Sequence, residues 1–155
     1  MKKAKAQDVK EEKTLIGDIW GVLREAIDKH PNHRFVWAEV VEVSHALEKI
    51  VEECQKAELK CFAEEMSLSV VGYLCEENTS SNHDDEVKVI NEAVNILKTG
   101  YWTEYNSDKD WEELINLSKS LSNSFSARLY NFSVHVFTSV LGYLSNISEQ
   151  RRLSA

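Results

Sequence analysis

The chain has 155 residues, 43% of them hydrophobic and 28% charged, with a formal net charge of −8. That is the size of one ordinary domain and lies outside the compositional range of disordered chains. The acidic balance argues against direct nucleic-acid binding, which needs clustered Lys and Arg to meet phosphates, and leaves a basic protein as the natural partner.

Residues 1–13 carry five Lys against three acids and no apolar stretch. They read as a charged N-terminal extension without a secretory signal, ahead of a single all-α domain over 14–155. No window approaches the roughly 18 uninterrupted apolar residues that a membrane helix needs. Cys54, Cys61 and Cys75 are odd in number and widely spaced, which favours reduced, buried thiols over bridges. The expectation is a cytoplasmic protein with no membrane association, metal or cofactor.

Five Gly and one Pro leave little punctuation for strands and hairpins. Ile16, Trp20, Leu23 and Ile27 make the stripe of a first helix, which stops by His30 because Pro31 biases its predecessor out of the α region. Val36, Val40, Val43, Leu47, Ile50, Cys54, Ala57 and Cys61 then alternate spacings of four and three. They predict one long heptad-patterned helix from Val36 to about Cys61, packed on an antiparallel partner. A kink or short break near Leu59 precedes a new stripe, Phe62, Met66, Val70 and Tyr73.

Glu76 to Asp85 reads as a polar loop. The next helix uses Val87, Ile90, Val94 and Leu97, with Asp84, Asp85 and Glu86 in its first turn and Gly100 as its C′ residue. A loop bearing Tyr101, Trp102 and Tyr105 leads to a cap at Ser107 or Asp108. Residues 125–141 admit two readings. Tyr130, Phe132, Val134 and Val136 alternate like a strand, whereas Phe125, Leu129, Phe132, Val136, Val140, Tyr143 and Ile147 form a helical stripe. The stripe covers more residues, so the fold expected is an all-α bundle of about five helices.

Charge is uneven along this bundle. The sum is −5 over 36–66, −5 over 76–86 and −4 over 100–113, then +3 from 114 onward. Glu76, Glu77, Asp84, Asp85 and Glu86 are therefore candidates to steer a basic partner, and Tyr101, Trp102 and Tyr105 are candidates to anchor it.

Three constellations invite chemistry. His30-Pro31-Asn32-His33 offers two imidazoles, but no third ligand lies nearby in sequence. His45-Ala46-Leu47-Glu48-Lys49 resembles the active helix of histidine phosphotransfer domains, whose pattern is His-x-Leu-Lys-Gly. That resemblance implies His45 as a phosphoryl acceptor, although Glu48 and Lys49 depart from the family at its functional positions. Arg128 and His135 resemble the signature of HEPN ribonucleases. This implies a histidine base and an arginine that stabilises phosphate, usually across a homodimer interface, which this chain allows. Leu129 stands where that family has a polar residue. The plainer reading places His135 in the core or an interface and sends Arg128 to solvent.

No Gly-rich phosphate loop, nucleophile elbow or Cys-x-x-Cys motif occurs. The reading that follows is a small acidic binding protein rather than an enzyme. It would act as an inhibitor or adaptor on a basic partner, as an immunity protein, antitoxin or phage counter-defence factor does. A HEPN-like ribonuclease or its inactive relative, and a phosphotransfer module, are the alternatives.

Overall fold

The computed structural model describes residues 9–77, 84–101 and 107–154. They form six helices: α1 Lys10–Lys29, α2 Trp37–Glu53, α3 Ala57–Glu76, α4 Asp84–Gly100, α5 Asp108–Asn123 and α6 Ala127–Ser154. No strand occurs among the described residues. The ambiguous C-terminal third is helical, and α6 buries Leu129, Phe132, Val136, Val140 and Tyr143 along the expected stripe.

The long heptad helix is two helices. α2 ends at Glu53, Cys54 is extended (φ −71, ψ 127), and α3 starts at Ala57. The Phe35 amide donates to the Leu74 carbonyl at 3.0 Å, so α3 runs back antiparallel beside α2. Of the eight seam positions only Val40, Val43 and Leu47 are buried. The apolar period continues in phase through the turn, and period alone does not separate a continuous helix from a hairpin.

Other expectations shift at their edges. Val9 and Glu12 are buried, so the folded body reaches into the segment read as an extension. Gly100 is not a left-handed C′ residue, because α4 runs through it and no described glycine has positive φ. A Cβ there would stand 2.6 Å from Leu114 Cδ2 and 2.7 Å from Leu144 Cδ1, so the glycine permits close approach of three helices. The cap of α5 is Ser107, whose Oγ accepts from the Asp110 amide while Asp110 accepts from the Ser107 amide. The three thiols are free, but none is buried and Cys75 is exposed.

Once the helices are placed, an internal repeat emerges that hydropathy alone does not display. Ser69-Val70-x-Gly72-Tyr73-Leu74 in α3 recurs in α6, 70 positions later, as Ser139-Val140-x-Gly142-Tyr143-Leu144. Ala57, Leu59 and Phe62 recur at the same offset as Ala127, Leu129 and Phe132. α1 and α4 share Glu12/Glu86, Ile16/Ile90 and Leu23/Leu97, each pair buried. α2 and α5 match in cap position, Glu39 with Asp110, and in the buried pairs Val43/Leu114 and Leu47/Ser118. Each half is thus a three-helix unit. Packing follows the same exchange: α1 on α2, α2 on α3 and α1 on α3 are matched by α4 on α5, α5 on α6 and α4 on α6. α3 packs on α6 and α1 on α4 across the middle. Stacked rings bind the halves, Phe62 with Tyr143 and Tyr73 with Phe132.

Candidate functional site

α2 and α3 leave a groove of about 380 Å³ on the outside of the first half. Leu47, Val51 and Val71 give it an apolar floor, and Leu68 stands beside it 72% exposed. Glu48, Glu52 and Glu64 rim it, and no Lys or Arg lines it. Trp37 and Val41 continue the same α2 face toward its N-terminus at spacings of four and three, and Trp37 is highly exposed. Within the groove, the Ser67 Oγ is buried without a hydrogen-bond partner among the described residues.

The second half differs at the same place. Phe137, the counterpart of Ser67, is 1% exposed and lies against Phe125 with ring centroids 6.4 Å apart. Thr138 replaces Leu68, and Lys119 replaces Glu48 on the outer helix. One half therefore fills the position with an aromatic ring, and the other keeps it hollow and acidic. Sequence reading missed the groove, although Leu68 falls off the stripe of Phe62, Met66, Val70 and Tyr73, and a large apolar residue off the core stripe is the available signal.

The acids expected to steer a partner are divided. Glu76 and Asp84 are exposed and Glu77 is half-buried. Glu86 is fully buried, and its Oε2 lies 3.1 Å from Arg128 Nη1; Asp85 Oδ2 lies 2.8 Å from Arg128 Nη2. Both pair with Arg128, but only Glu86 is committed inside the fold; the Asp85 side chain stays 45% exposed. Of the anchoring aromatics, Tyr101 is half-buried, whereas Trp102 and Tyr105 lie outside the described residues.

Arg128 and His135 reverse the plainer reading. The arginine turns inward to Asp85, Glu86 and the Tyr73 hydroxyl, and the histidine is exposed. A phosphate at Arg128 would have to displace two carboxylates. His45 is exposed, pointing off the buried seam as a phosphoryl acceptor must, with Glu48 one turn on. The two loop histidines do find a third group. Glu39 Oε2 lies 2.9 Å from His30 Nδ1 and Glu39 Oε1 lies 3.1 Å from His33 Nε2. The turn that gathers them passes through Asn32 at φ 60, a left-handed conformation that Asn tolerates. One ligand atom from each of the three falls within 4.8 Å of the others, and no fourth His, Cys, Asp or Glu joins them among the described residues. Glu39 also caps α2, accepting from the Val36 amide at 3.0 Å. That hydrogen bond, with help from His33 and against the cost of burial, holds its carboxyl below the ordinary range.

Among the described residues no helix is long and apolar enough to cross a membrane. Compared with protein-family models, with curated proteins and with solved structures, the chain matches none of them.

Proposed function

We propose that the chain is a binding protein, an inhibitor or adaptor of the immunity, antitoxin or counter-defence kind, and that the α2/α3 groove takes the apolar face of a basic segment from its partner. The exchange of Phe137 for Ser67 carries this reading. The second half carries a buried phenylalanine where the first half leaves a serine in an open groove, and this contrast supports a use for the groove. Its apolar floor offers affinity through surface removed from water. Glu48, Glu52 and Glu64 favour a basic partner, and their contribution falls mainly on association rate. An amphipathic helix laid in a groove is the recognition mode that suits this shape.

Calorimetric titration with a synthetic amphipathic helix of leucine and lysine tests the reading, against the same helix with glutamate in place of lysine. The lysine helix should bind, and its affinity should fall as salt rises, because the Debye length is only about 8 Å at physiological ionic strength. Ser67→Phe, which copies the plug of the second half, should abolish binding while the fold is retained. Equal binding of the two helices would sink the electrostatic part, and undiminished binding to the Ser67→Phe variant would sink the groove.

A further inference from the structure

The repeat builds one corner twice, at opposite ends of the α3/α6 pair. In each, a tyrosine donates its hydroxyl proton to the buried third residue of the other half's leading helix: Tyr73 to Glu86, and Tyr143 to Glu12. A phenylalanine stacks on each tyrosine, Phe132 on Tyr73 at 4.6 Å and Phe62 on Tyr143 at 4.9 Å. Burial, and then the accepting carboxylate, holds both phenols well above their ordinary range, so both remain donors.

The corners part at the start of the inner helices, where Lys56 and Glu58 of the first correspond to Ser126 and Arg128 of the second. The second residue of α6 is Arg128, whose guanidinium reaches Glu86 at 3.1 Å, Asp85 at 2.8 Å and the Tyr73 oxygen. The second residue of α3 is Glu58. Glu12 is 4% exposed and accepts from Tyr143; no ion pair is made to it among the described residues, although Lys56, paired with Glu11, is near enough to feel its charge. Where Arg128 sits in the second corner, the first has a cleft of about 380 Å³ walled by Glu11, Glu12, Glu58, Tyr101 and Tyr143.

We propose that this cleft binds a guanidinium group brought by another molecule, seated on Glu12, Glu11 and Tyr143 as Arg128 is seated on Glu86, Asp85 and Tyr73. The occupied copy of the corner, more than the count of acids, points to the ligand. A planar fork of N–H donors satisfies two adjacent carboxylates and a phenol oxygen at once, which a compact ammonium does less well. Glu58 adds an acceptor where an anionic ligand would meet repulsion. Lys10 and Lys56 also line the cleft. Lys56 pairs with Glu11 at 2.8 Å, but the two side chains are 61% and 60% exposed, so this bond lies at the mouth and is weak enough to yield. Tyr101 also lines the cleft. The site is separate from the α2/α3 groove, and neither depends on the other.

NMR titration of the intact chain decides the matter, with methylguanidinium as the group alone, N-acetyl-arginine amide as a chain-borne arginine, free arginine, and tetramethylammonium as a cation without N–H donors. The guanidinium probes should shift the Tyr143 ring signals saturably, and tetramethylammonium should not. Glu58→Arg gives the first corner its own guanidinium at an accessible position, so it should lose the response and melt at a higher temperature. Arg128→Ala empties the second corner, so methylguanidinium should now shift Tyr73 as well and raise that variant's melting temperature. A preference of about tenfold or more for N-acetyl-arginine amide over free arginine assigns the group to a polypeptide, and the reverse order assigns it to the free amino acid. No saturable shift in the unaltered chain, an equal response to tetramethylammonium, or a response that survives Glu58→Arg would each overturn the proposal.

Discussion

The two halves keep their inner helices and let their outer ones drift. α3 and α6 retain the phenylalanine, the tyrosine and the Ser-Val-x-Gly-Tyr-Leu segment, whereas α2 and α5, aligned on their caps, share only Glu42 and Glu113 as identical residues. The inner pair packs on itself and on helices of both halves, so the side chains of its shared stripe are bounded on several sides. A close-packed interior resists change of even one methylene. The outer helices are covered on one face only, and their free faces can change chemistry without disturbing the core. Ser67 against Phe137 and Glu58 against Arg128 are the exceptions, changes of chemistry on the inner helices themselves.

The largest expected difference between the corners is electrostatic. Arg128→Ala leaves Glu86 buried without its cation and should cost about 3–5 kcal/mol in urea unfolding. Lys56→Ala breaks an exposed pair with Glu11 and should leave the urea midpoint almost unchanged. Similar values for the two would mean that the buried corner does not depend on its arginine. Next come the equivalent core positions of the outer helices. Leu47→Ala should cost about 2–5 kcal/mol, Ser118→Ala about 1, and His45→Ala, on the exposed face, less than about 0.5. A loss at His45 as large as that at Leu47 would mean that the register of α2 is wrong.

A smaller effect concerns sizes traded between halves. Ala26 and Val43 correspond to Gly100 and Leu114, a smaller residue opposite a larger one. Gly100→Ala should destabilise by about 1–3 kcal/mol through crowding, and adding Leu114→Val should recover part of it, since Leu144 still meets the new Cβ. Failure of the second change to help would separate the halves at this contact. The smallest effect is local to one cap. Because the carboxyl of Glu39 is held below its ordinary range, its contribution to α2 is complete above that range and disappears as pH falls through the lowered value. The Val36 amide resonance should report this with a midpoint below that of ordinary glutamates, and an unshifted midpoint would remove Glu39 from the cap.

Much of this was legible before any coordinates. Helical period set the class of α1 to α4, and α5 was legible only from its cap and acidic first turn. The stripe Phe125 to Ile147 outweighed the alternation near Tyr130 because α3, α4 and α5 all pack on α6. The α2/α3 turn was not legible, since Glu53-Cys54-Gln55-Lys56 holds neither Gly nor Pro and the apolar spacing passes through it in phase. The repeat was present in plain residues: Phe62, Met66, Val70, Tyr73 and Phe132, Val136, Val140, Tyr143 are one stripe written twice. Reading each stripe only for its period hides that identity. The corners were harder, because composition counts Glu86 among surface acids, and only a partner 42 positions away accounts for its burial.

The crossing of Tyr73 to Glu86 and Tyr143 to Glu12 has a consequence for synthesis. The first half reaches its end at Glu77 with Phe62 and Tyr73 still waiting for rings that arrive only with Phe132 and Tyr143. Contacts so distant in sequence make loop closure late, and folding slow for a helical chain. On the ribosome, α1 to α3 therefore emerge as an amphipathic hairpin-and-helix whose aromatic face stays open until α6 is released. Such a surface is the kind that holding chaperones cover and that a second nascent copy can capture. The last helix thus ends a period of vulnerability for the first half as well as completing the second.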